Sequence, residues 1–185
     1  VLDDLPVGEQ FDWVDKVSIE LTTQMLATLF DFPFEDRRKL TRWSDVATGD
    51  EESGIVESEE ARQAELYECL EYFMGLWQER AEKGEGNDLV SMLAHGEATK
   101  NMSPQEFLGN LILLIVGGND TTRNSLSGTI RLLTQFPQQR ARVLAEPDLI
   151  PRMSHEAIRM ISPVQHMRRT ALEDTELNGQ RIAKD

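Results

Sequence analysis

The sequence has very little of the sulfur and imidazole chemistry that crosslinks chains or binds metals. Cys69 is the one cysteine among 185 residues, so it cannot close an internal disulfide, and it lacks zinc-site or thioredoxin spacing. His95, His155 and His166 show no ligand spacing either, and we interpret them as ordinary surface or core histidines. Cys69 lies in an amphipathic segment, where a small buried hydrophobe is the expected role. This usage fits a reducing compartment, and we expect a cytoplasmic protein.

Positive charge and long apolar runs are also scarce. Lys and Arg total 19 against 33 Asp and Glu, giving a formal net charge of −14. Such a surface repels phosphate backbones and anionic membranes, so we expect no nucleic-acid partner. The longest apolar stretch, 111–116, is far shorter than the roughly 20 residues that span a bilayer, and no signal peptide is visible. We therefore expect no membrane insertion.

The length allows one domain with a buried core, or part of a larger domain. The chain starts at Val1 rather than at a methionine and stops at Asp185, just after a strand-like pattern. We therefore expect residues 1–185 to be an internal fragment of a single domain.

Hydrophobic periodicity predicts a mainly α-helical chain. The first predicted helix, 11–30, has a core-facing stripe of Val14, Val17, Leu21, Met25 and Leu29. Further helices are predicted at 35–46, 59–83, 88–94, 137–145 and 151–161, with a mobile loop at 47–58. Short strands are predicted at 167–171 and 175–177, and Asn178-Gly179 is a strong hairpin-turn signal.

The strongest boundary signal lies before the longest predicted helix. Ser103, Pro104 and Glu106 combine an N-cap, a first-turn proline and a capping-box acid. Apolar residues then recur until Pro137, which predicts a helix of about 30 residues, well above the mean of about 11–12.

Two adjacent glycines, Gly117 and Gly118, lie in the middle of this helix, where each costs roughly 1 kcal/mol relative to alanine. Bare backbone would offset this cost by letting a flat ligand or another helix approach closely. Leu113, Gly117 and Thr121 share one face with Asp120 on its flank, so an acid and a hydroxyl could relay protons there. Alternatively, the small residues only pack, and Thr121 bonds the carbonyl one turn back.

Two charged pairs follow. Glu156 and Arg159 are three residues apart on a predicted helix and can form an ion pair, which alone is weak evidence of function. Arg168 and Arg169 precede the predicted hairpin. They could grip a carboxylate, or form an exposed basic pair on an edge strand.

In this order and spacing, the motifs resemble those of the cytochrome P-450 family. Residues 117–121 resemble its oxygen-activation motif, which is a small residue, glycine, any residue, an acid and threonine. Residues 156–159 resemble its Glu-x-x-Arg motif, and Arg169 resembles the strand arginine that binds a haem propionate. The resemblance implies the central portion of that fold, mainly α, with a long central helix and a small β-hairpin near the C-terminus.

The resemblance also implies site residues. Haem b, iron protoporphyrin IX, would lie against Gly117 and Gly118, with Asp120 and Thr121 delivering protons during oxygen activation. Arg169 would bind the cofactor, and Glu156 with Arg159 would form a structural motif. The implied substrate-pocket residues are Leu113, Val116, Val164, Gln165 and Met167.

The implied activity is insertion of one oxygen atom of O2 into an unactivated C–H bond of a hydrophobic small molecule. Electrons would come from NAD(P)H through ferredoxin reductase and ferredoxin. Residues 11–15 and 29–45 look most like those of bacterial hydroxylases that act on the terminal carbon of medium-chain alkanes and fatty acids.

The resemblance places the cysteine ligand of the iron beyond Asp185, and Cys69 is in the wrong segment to replace it. We therefore expect no metal ligand in this chain and no activity from the fragment alone. The main alternative is a non-catalytic helical module that binds a hydrophobic ligand or a partner helix. A cofactor-free enzyme using Asp120, Thr121 and Glu156 is disfavoured, because no nucleophile with an adjacent base is visible.

Overall fold

A computed structural model describes residues 1–49, 51–167 and 169–185 of the chain. Among these residues the secondary structure is mainly helical, as predicted. The helices are α1 Glu20–Phe30, α2 Arg38–Thr48, α3 Glu59–Lys83, α4 Leu89–His95, α5 Pro104–Gln135, α6 Pro137–Ala145 and α7 Ile150–Ile161. Strands β1 Thr175–Leu177 and β2 Gln180–Ile182 follow, and a π-helical turn, Val14–Ile19, precedes α1.

Helix α5 is the element around which the others pack, and it begins where the sequence predicts. The hydroxyl of Ser103 accepts a hydrogen bond from the Glu106 amide at 3.3 Å, and the Glu106 carboxylate accepts one from the Ser103 amide at 2.8 Å. Pro104 occupies the first turn, where its missing N–H costs nothing. The helix then continues to Gln135, so the predicted length of about 30 residues is confirmed.

The core lies between α5 and helices α1 to α4. Its α5 face consists of Phe107, Leu111 and Ile115, all buried. An aromatic cluster fills the opposite side, in which the rings of Phe32 and Tyr72 stack with centroids 4.9 Å apart. The remaining buried members are Leu26, Ala27, Phe30, Leu40, Trp43, Cys69, Phe73 and Val90. This packing fixes which face of α5 is inside.

The first helix departs from prediction in its register. Four of the five residues of the predicted stripe are exposed, namely Val14, Leu21, Met25 and Leu29, and only Val17 is buried. The π-helical turn lies within the predicted helix and shifts the register of the residues after it relative to a uniform 3.6-residue repeat. The buried face of α1 is instead formed by Thr22, Thr23, Leu26, Ala27 and Phe30.

Two buried threonines made this face hard to recognise. The hydroxyl of Thr23 donates to the backbone carbonyl of Ile19 at 2.9 Å, and the hydroxyl of Thr22 donates to a side chain of α5 at 2.8 Å. This satisfies polar groups that would otherwise be costly to bury.

Smaller differences occur in the segments that follow. The predicted helix 35–46 is a 3-10 turn, Phe34–Asp36, followed by α2, which continues to Thr48 and so enters the predicted loop 47–58. That loop buries Val56, and its residue Asp50 lies outside the described part of the chain.

The hairpin near the C-terminus is confirmed, but one predicted strand is wrong. β1 and β2 pair antiparallel, with Thr175 opposite Ile182. Asn178 and Gly179 both have positive φ, 51° and 77°, as a type I′ turn requires. Residues 167 and 169–171 are not in a strand, and Arg168 lies outside the described residues. A strand needs a ladder of backbone hydrogen bonds to a neighbour, and the bond that the Asp185 amide donates to the Ala171 carbonyl at 3.2 Å does not extend into such a ladder among the described residues.

The two central glycines of α5 have different surroundings. A Cβ atom at Gly118 would lie 2.7 Å from Cδ2 of Leu26 on α1, whereas a Cβ at Gly117 would meet nothing within 4 Å. Leu26 is buried at 2% exposure and cannot move aside freely. Gly118 therefore permits the close approach of α1 and α5, and Gly117 faces open space.

Replacing each glycine by alanine should have different effects on stability, because the two positions have different neighbours. Gly117→Ala should be neutral or stabilise the protein by up to about 1 kcal/mol, because alanine favours helix and meets no neighbour. Gly118→Ala should be less stable than Gly117→Ala by about 1–3 kcal/mol, because the added methyl would overlap the buried side chain of Leu26. Urea unfolding of the full-length protein that contains this chain measures both. Equal stabilities would contradict the packing role of Gly118.

Candidate functional site

The open face of α5 brings together three residues spaced four apart. Leu113 is 73% exposed, Gly117 has no neighbour near its Cβ position, and Thr121 is half-buried. Val116, also expected near substrate, is half-buried beside them. We define Leu113, Gly117 and Thr121 as the bare face of α5. It is an apolar surface with one hydroxyl at its end.

Gly118 does not belong to this face. The sequence predicted that a cofactor would lie against both glycines, but the Cβ direction of Gly118 points into Leu26. The neighbour that needs a bare backbone at Gly118 is thus another helix of the chain. Both glycines are exposed, and they differ in that a Cβ atom at Gly117 would meet nothing within 4 Å.

The Thr121 hydroxyl bonds the helix backbone. Its Oγ1 donates to the carbonyl of Gly117, one turn earlier, at 3.0 Å. The sequence had left this bond open as an alternative to a functional role. This bond uses the proton of the hydroxyl. The hydroxyl oxygen can still accept a hydrogen bond from a donor that lies on the open side of the helix. Helix α5 stays continuous here, so this structure has no interruption of the helix at the double glycine.

Asp120 is held by a cation that the sequence reasoning missed. Nη2 of Arg123 donates to Asp120 at 2.5 Å and to Asp45 of α2 at 3.0 Å. Burial lowers the pKa of Arg123, but the hydrogen bonds to Asp45 and Asp120 outweigh it and leave that pKa above its ordinary value. Spacing along α5 could have suggested the Asp120–Arg123 pair. Asp45 is 78 residues away from Arg123, and no local signal indicates that contact.

Asn119 is the buried member of the motif. Its side chain is fully buried against α1, where Oδ1 accepts a hydrogen bond from the Thr22 hydroxyl at 2.8 Å. Among the residues that the structure describes, the Nδ2 atom of Asn119 has no hydrogen-bond partner. Asn119 is therefore the packed residue of the motif, whereas Gly117 and Gly118 are both exposed and differ in that a Cβ atom at Gly118 would meet Leu26.

Glu156 and Arg159 form the predicted ion pair on α7. The guanidinium donates from Nε and Nη2 to the two carboxylate oxygens, at 2.7 and 2.6 Å. Hydrogen bonding to Arg159 lowers the pKa of Glu156, and hydrogen bonding to Glu156 raises that of Arg159. Both side chains are more than half exposed. The geometry is bidentate, but the pair is on the surface.

The remaining predicted residues lie in the irregular segment after α7. Val164, Gln165, Met167 and Arg169 are all exposed. The structure does not place them in an enclosed pocket with Leu113. A cleft of about 490 Å³ between α5 and α7 is lined by Thr121, together with Trp13, Thr122, Ser125, Leu126, Thr129, Ile130, Met153, Ser154, Ile158 and Pro163. A second cleft, of about 610 Å³, includes Glu156 and Arg159. None of the five predicted substrate-pocket residues lines either cleft.

Metal binding and membrane insertion receive no support from the described residues. No cluster of His, Cys, Asp or Glu among residues 1–49, 51–167 and 169–185 could hold a metal ion. Cys69 is fully buried, and burial raises the pKa of its thiol to about 12. Within the same ranges, none of the helices is both long enough and apolar enough to cross a bilayer.

Comparison with known proteins finds relatives that are named as monooxygenases. No protein-family model matches the chain. The chain is 37% identical to linalool 8-monooxygenase of Pseudomonas putida, over its whole length and 45% of that protein. It is 34% identical to steroid C26-monooxygenase of Mycolicibacterium smegmatis, over 94% of the chain and 40% of that protein. The chain thus spans less than half the length of these relatives.

Solved structures share both the fold and much of the sequence. A cytochrome P-450 from Novosphingobium aromaticivorans superposes with a TM-score of 0.83 at 52% identity, covering 99% of the chain and 44% of that structure. A second, from a Sphingomonas species, gives a TM-score of 0.85 at 54% identity, covering 100% of the chain and 46% of that structure. With the long central helix, the glycine-acid-threonine motif and the Glu156–Arg159 pair in place, this chain belongs to the cytochrome P-450 family.

Proposed function

We propose that residues 1–185 are the central part of a single-domain, haem-dependent monooxygenase that inserts one atom of O2 into a C–H bond of an aliphatic substrate. The bare face of α5 is the observation that carries this proposal, because it sets an apolar surface beside the hydroxyl of Thr121 and the acid Asp120. The names of the relatives, linalool 8-monooxygenase and steroid C26-monooxygenase, support monooxygenation.

The residues of the bare face fit a flat apolar cofactor. Gly117 offers backbone without a side chain, and Leu113 offers an exposed apolar side chain one turn away. We propose that haem b lies against Gly117 and that Arg169 holds a propionate. Haem, when bound, supplies the redox chemistry that activates O2. We propose that the cysteine ligand of its iron lies outside residues 1–185, since Cys69 is buried in the core.

Thr121 and Asp120 would move protons between solvent and the bare face. The Thr121 hydroxyl is anchored to the Gly117 carbonyl and can accept a hydrogen bond from a water molecule on the open side. Asp120, the adjacent residue, can take up and release a proton. A hydroxyl and a carboxylate in sequence can therefore pass a proton along a short path.

The proposed substrate is an alkane or fatty acid hydroxylated at its terminal carbon. One relative, 30% identical over 94% of the chain, is named methyl-branched lipid omega-hydroxylase, from Mycobacterium bovis. Four of the five proposed pocket residues are apolar, namely Leu113, Val116, Val164 and Met167, and the fifth is Gln165. A mainly apolar lining suits an alkyl chain that is held by burial. We further propose a cytoplasmic protein that receives electrons from NAD(P)H through ferredoxin reductase and ferredoxin.

The alternative of a non-catalytic helical module explains only one glycine. Close packing accounts for Gly118, whose Cβ position lies against Leu26, but packing among the described residues does not account for Gly117, whose Cβ position has none of them within 4 Å. The open glycine favours a ligand-binding role for this face over packing alone.

The first test is haem binding with a blocking variant. The full-length protein that contains this chain should show the carbon monoxide difference band of a thiolate-ligated haem after reduction. Gly117→Phe should fold but lose haem, because the ring would cover the bare face. Gly109→Phe is the matched control, since Gly109 lies on the same helix and also has nothing within 4 Å. A folded wild-type protein without haem, or full haem retention by Gly117→Phe, would contradict the proposal.

The second test removes the hydroxyl of the proposed relay. Thr121→Ala should divert electrons from product to peroxide, with a loss of product formation on the order of 10²-fold if Thr121 supplies a full proton-transfer step. Thr134→Ala is the control, because Thr134 donates to the Ile130 carbonyl on the same helix in the same way, at 2.9 Å. Product and peroxide are measured per O2 consumed. Identical coupling in both variants would remove Thr121 from the relay.

The third test varies the length of the substrate. Each added methylene should strengthen binding by about 0.8 kcal/mol, roughly fourfold in Kd, until the chain fills the pocket. Spectral titration with a series of linear fatty acids measures this, and product analysis locates the hydroxyl. A flat series of Kd values, or oxidation away from the chain end, would count against an alkyl substrate hydroxylated at its terminus.

A further inference from the structure

We infer that Arg123 is a positioning residue for Asp120 and that Asp45 of α2 holds Arg123 in place. The inference rests on the proposed function, because it assigns Asp120 to the proton relay. Neither Arg123 nor Asp45 belongs to the glycine-acid-threonine motif. Their role follows from the contacts that join α2 to α5.

The geometry is a single nitrogen shared by two carboxylates. Nη2 of Arg123 donates to Oδ1 of Asp120 at 2.5 Å and to Oδ1 of Asp45 at 3.0 Å. The Arg123 side chain is 16% exposed, and those of Asp120 and Asp45 are 30% and 33% exposed. The Arg123 cation is thus largely shielded from water, whereas each of the two carboxylates is still partly exposed to water.

Asp120 and Arg123 alone would be a weak constraint. A pair three residues apart on an exposed helix typically contributes little to stability and exchanges readily with water. Asp45 changes this, because it fixes the guanidinium from a different helix and at partial burial. The direction of the Asp120 carboxylate is therefore set by contacts on both α5 and α2.

This constraint matters for a group that must pass a proton. A carboxylate that turns freely presents its oxygens to many partners, whereas one tied through Oδ1 presents a defined oxygen to water near Thr121. A relay works only when donor and acceptor are within hydrogen-bond reach. Arg123 would thus act through Asp120, without contacting substrate or cofactor itself.

The chain contains a matched ion pair for comparison. Arg37, at the start of α2, donates from Nε and Nη2 to Glu20 of α1, at 2.9 and 2.8 Å. This pair also links two helices. The Arg37 side chain is 24% exposed, a fraction similar to that of the Arg123 side chain. It does not contact Asp120, so losing it should affect stability without affecting the relay.

The experiment compares Arg123→Gln, Arg123→Lys, Asp45→Asn and the control Arg37→Gln in the full-length protein with haem. Arg123→Gln should lower the fraction of electrons recovered in product several-fold and raise the solvent isotope effect on product formation. Asp45→Asn should change the electron recovery and the isotope effect in the same direction, but by less. Arg123→Lys should lose less electron recovery than Arg123→Gln, because it keeps the positive charge. Arg37→Gln should leave both unchanged.

A second readout does not depend on turnover. Crystal structures of the resting Arg123→Gln and Asp45→Asn proteins should show the Asp120 carboxylate displaced from its wild-type direction. An unmoved carboxylate, or coupling and isotope effects in Arg123→Gln that match those in Arg37→Gln, would overturn the inference. An effect in Arg123→Gln with none in Asp45→Asn would overturn the part assigned to Asp45.

Failure of the proposed function gives a different result. In that case the wild-type protein itself would lack the thiolate-haem spectrum, before any variant is compared. A normal wild-type spectrum with unaffected Arg123 and Asp45 variants would leave the proposed function intact and remove only this inference.

Discussion

The contact between Gly118 and Leu26 sets the rotation of α5, and the rest of the site depends on that rotation. A Cβ atom at position 118 would lie 2.7 Å from Cδ2 of Leu26, so either the Leu26 side chain or the spacing between α5 and α1 would have to change. With the two helices in close contact, Phe107, Leu111 and Ile115 point into the core. Gly117 and Thr121 are then left on the open side. A packing requirement at one glycine therefore determines what its neighbour exposes.

The two sides of α5 also differ in their polar contacts. On the packed side, Asn119 and Thr22 share a buried hydrogen bond between α5 and α1. On the flank, Arg123 joins Asp120 to Asp45 of α2. These contacts restrict rotation of the helix about its axis, because each has a direction as well as a distance. The motif residues thus combine structural contacts with the proposed chemical roles within a single turn.

Local signals allowed much of the fold to be predicted, and long-range contacts account for most of what was missed. The helix 59–83 has the predicted bounds, and Ser103 starts α5 as its capping box indicated. These features depend on residues a few positions apart. The prediction of which face of α1 is buried was wrong. A π-helical turn shifts the register of the helix, and two threonines are buried with internal hydrogen bonds. Nothing near Asp120 in sequence points to Asp45, and the separate surroundings of Gly117 and Gly118 appear only when α1 is in place.

The shifted register of α1 leaves Leu21, Met25 and Leu29 in a row on its outer surface. Such a row attracts other apolar surfaces, whereas the net charge of −14 makes copies of this polypeptide repel one another. Repulsion between surface charges weakens with ionic strength, since the screening length falls to about 8 Å in physiological salt. Hydrophobic attraction is not screened in this way. Added salt should therefore weaken the charge repulsion between these surfaces more than the apolar attraction between them.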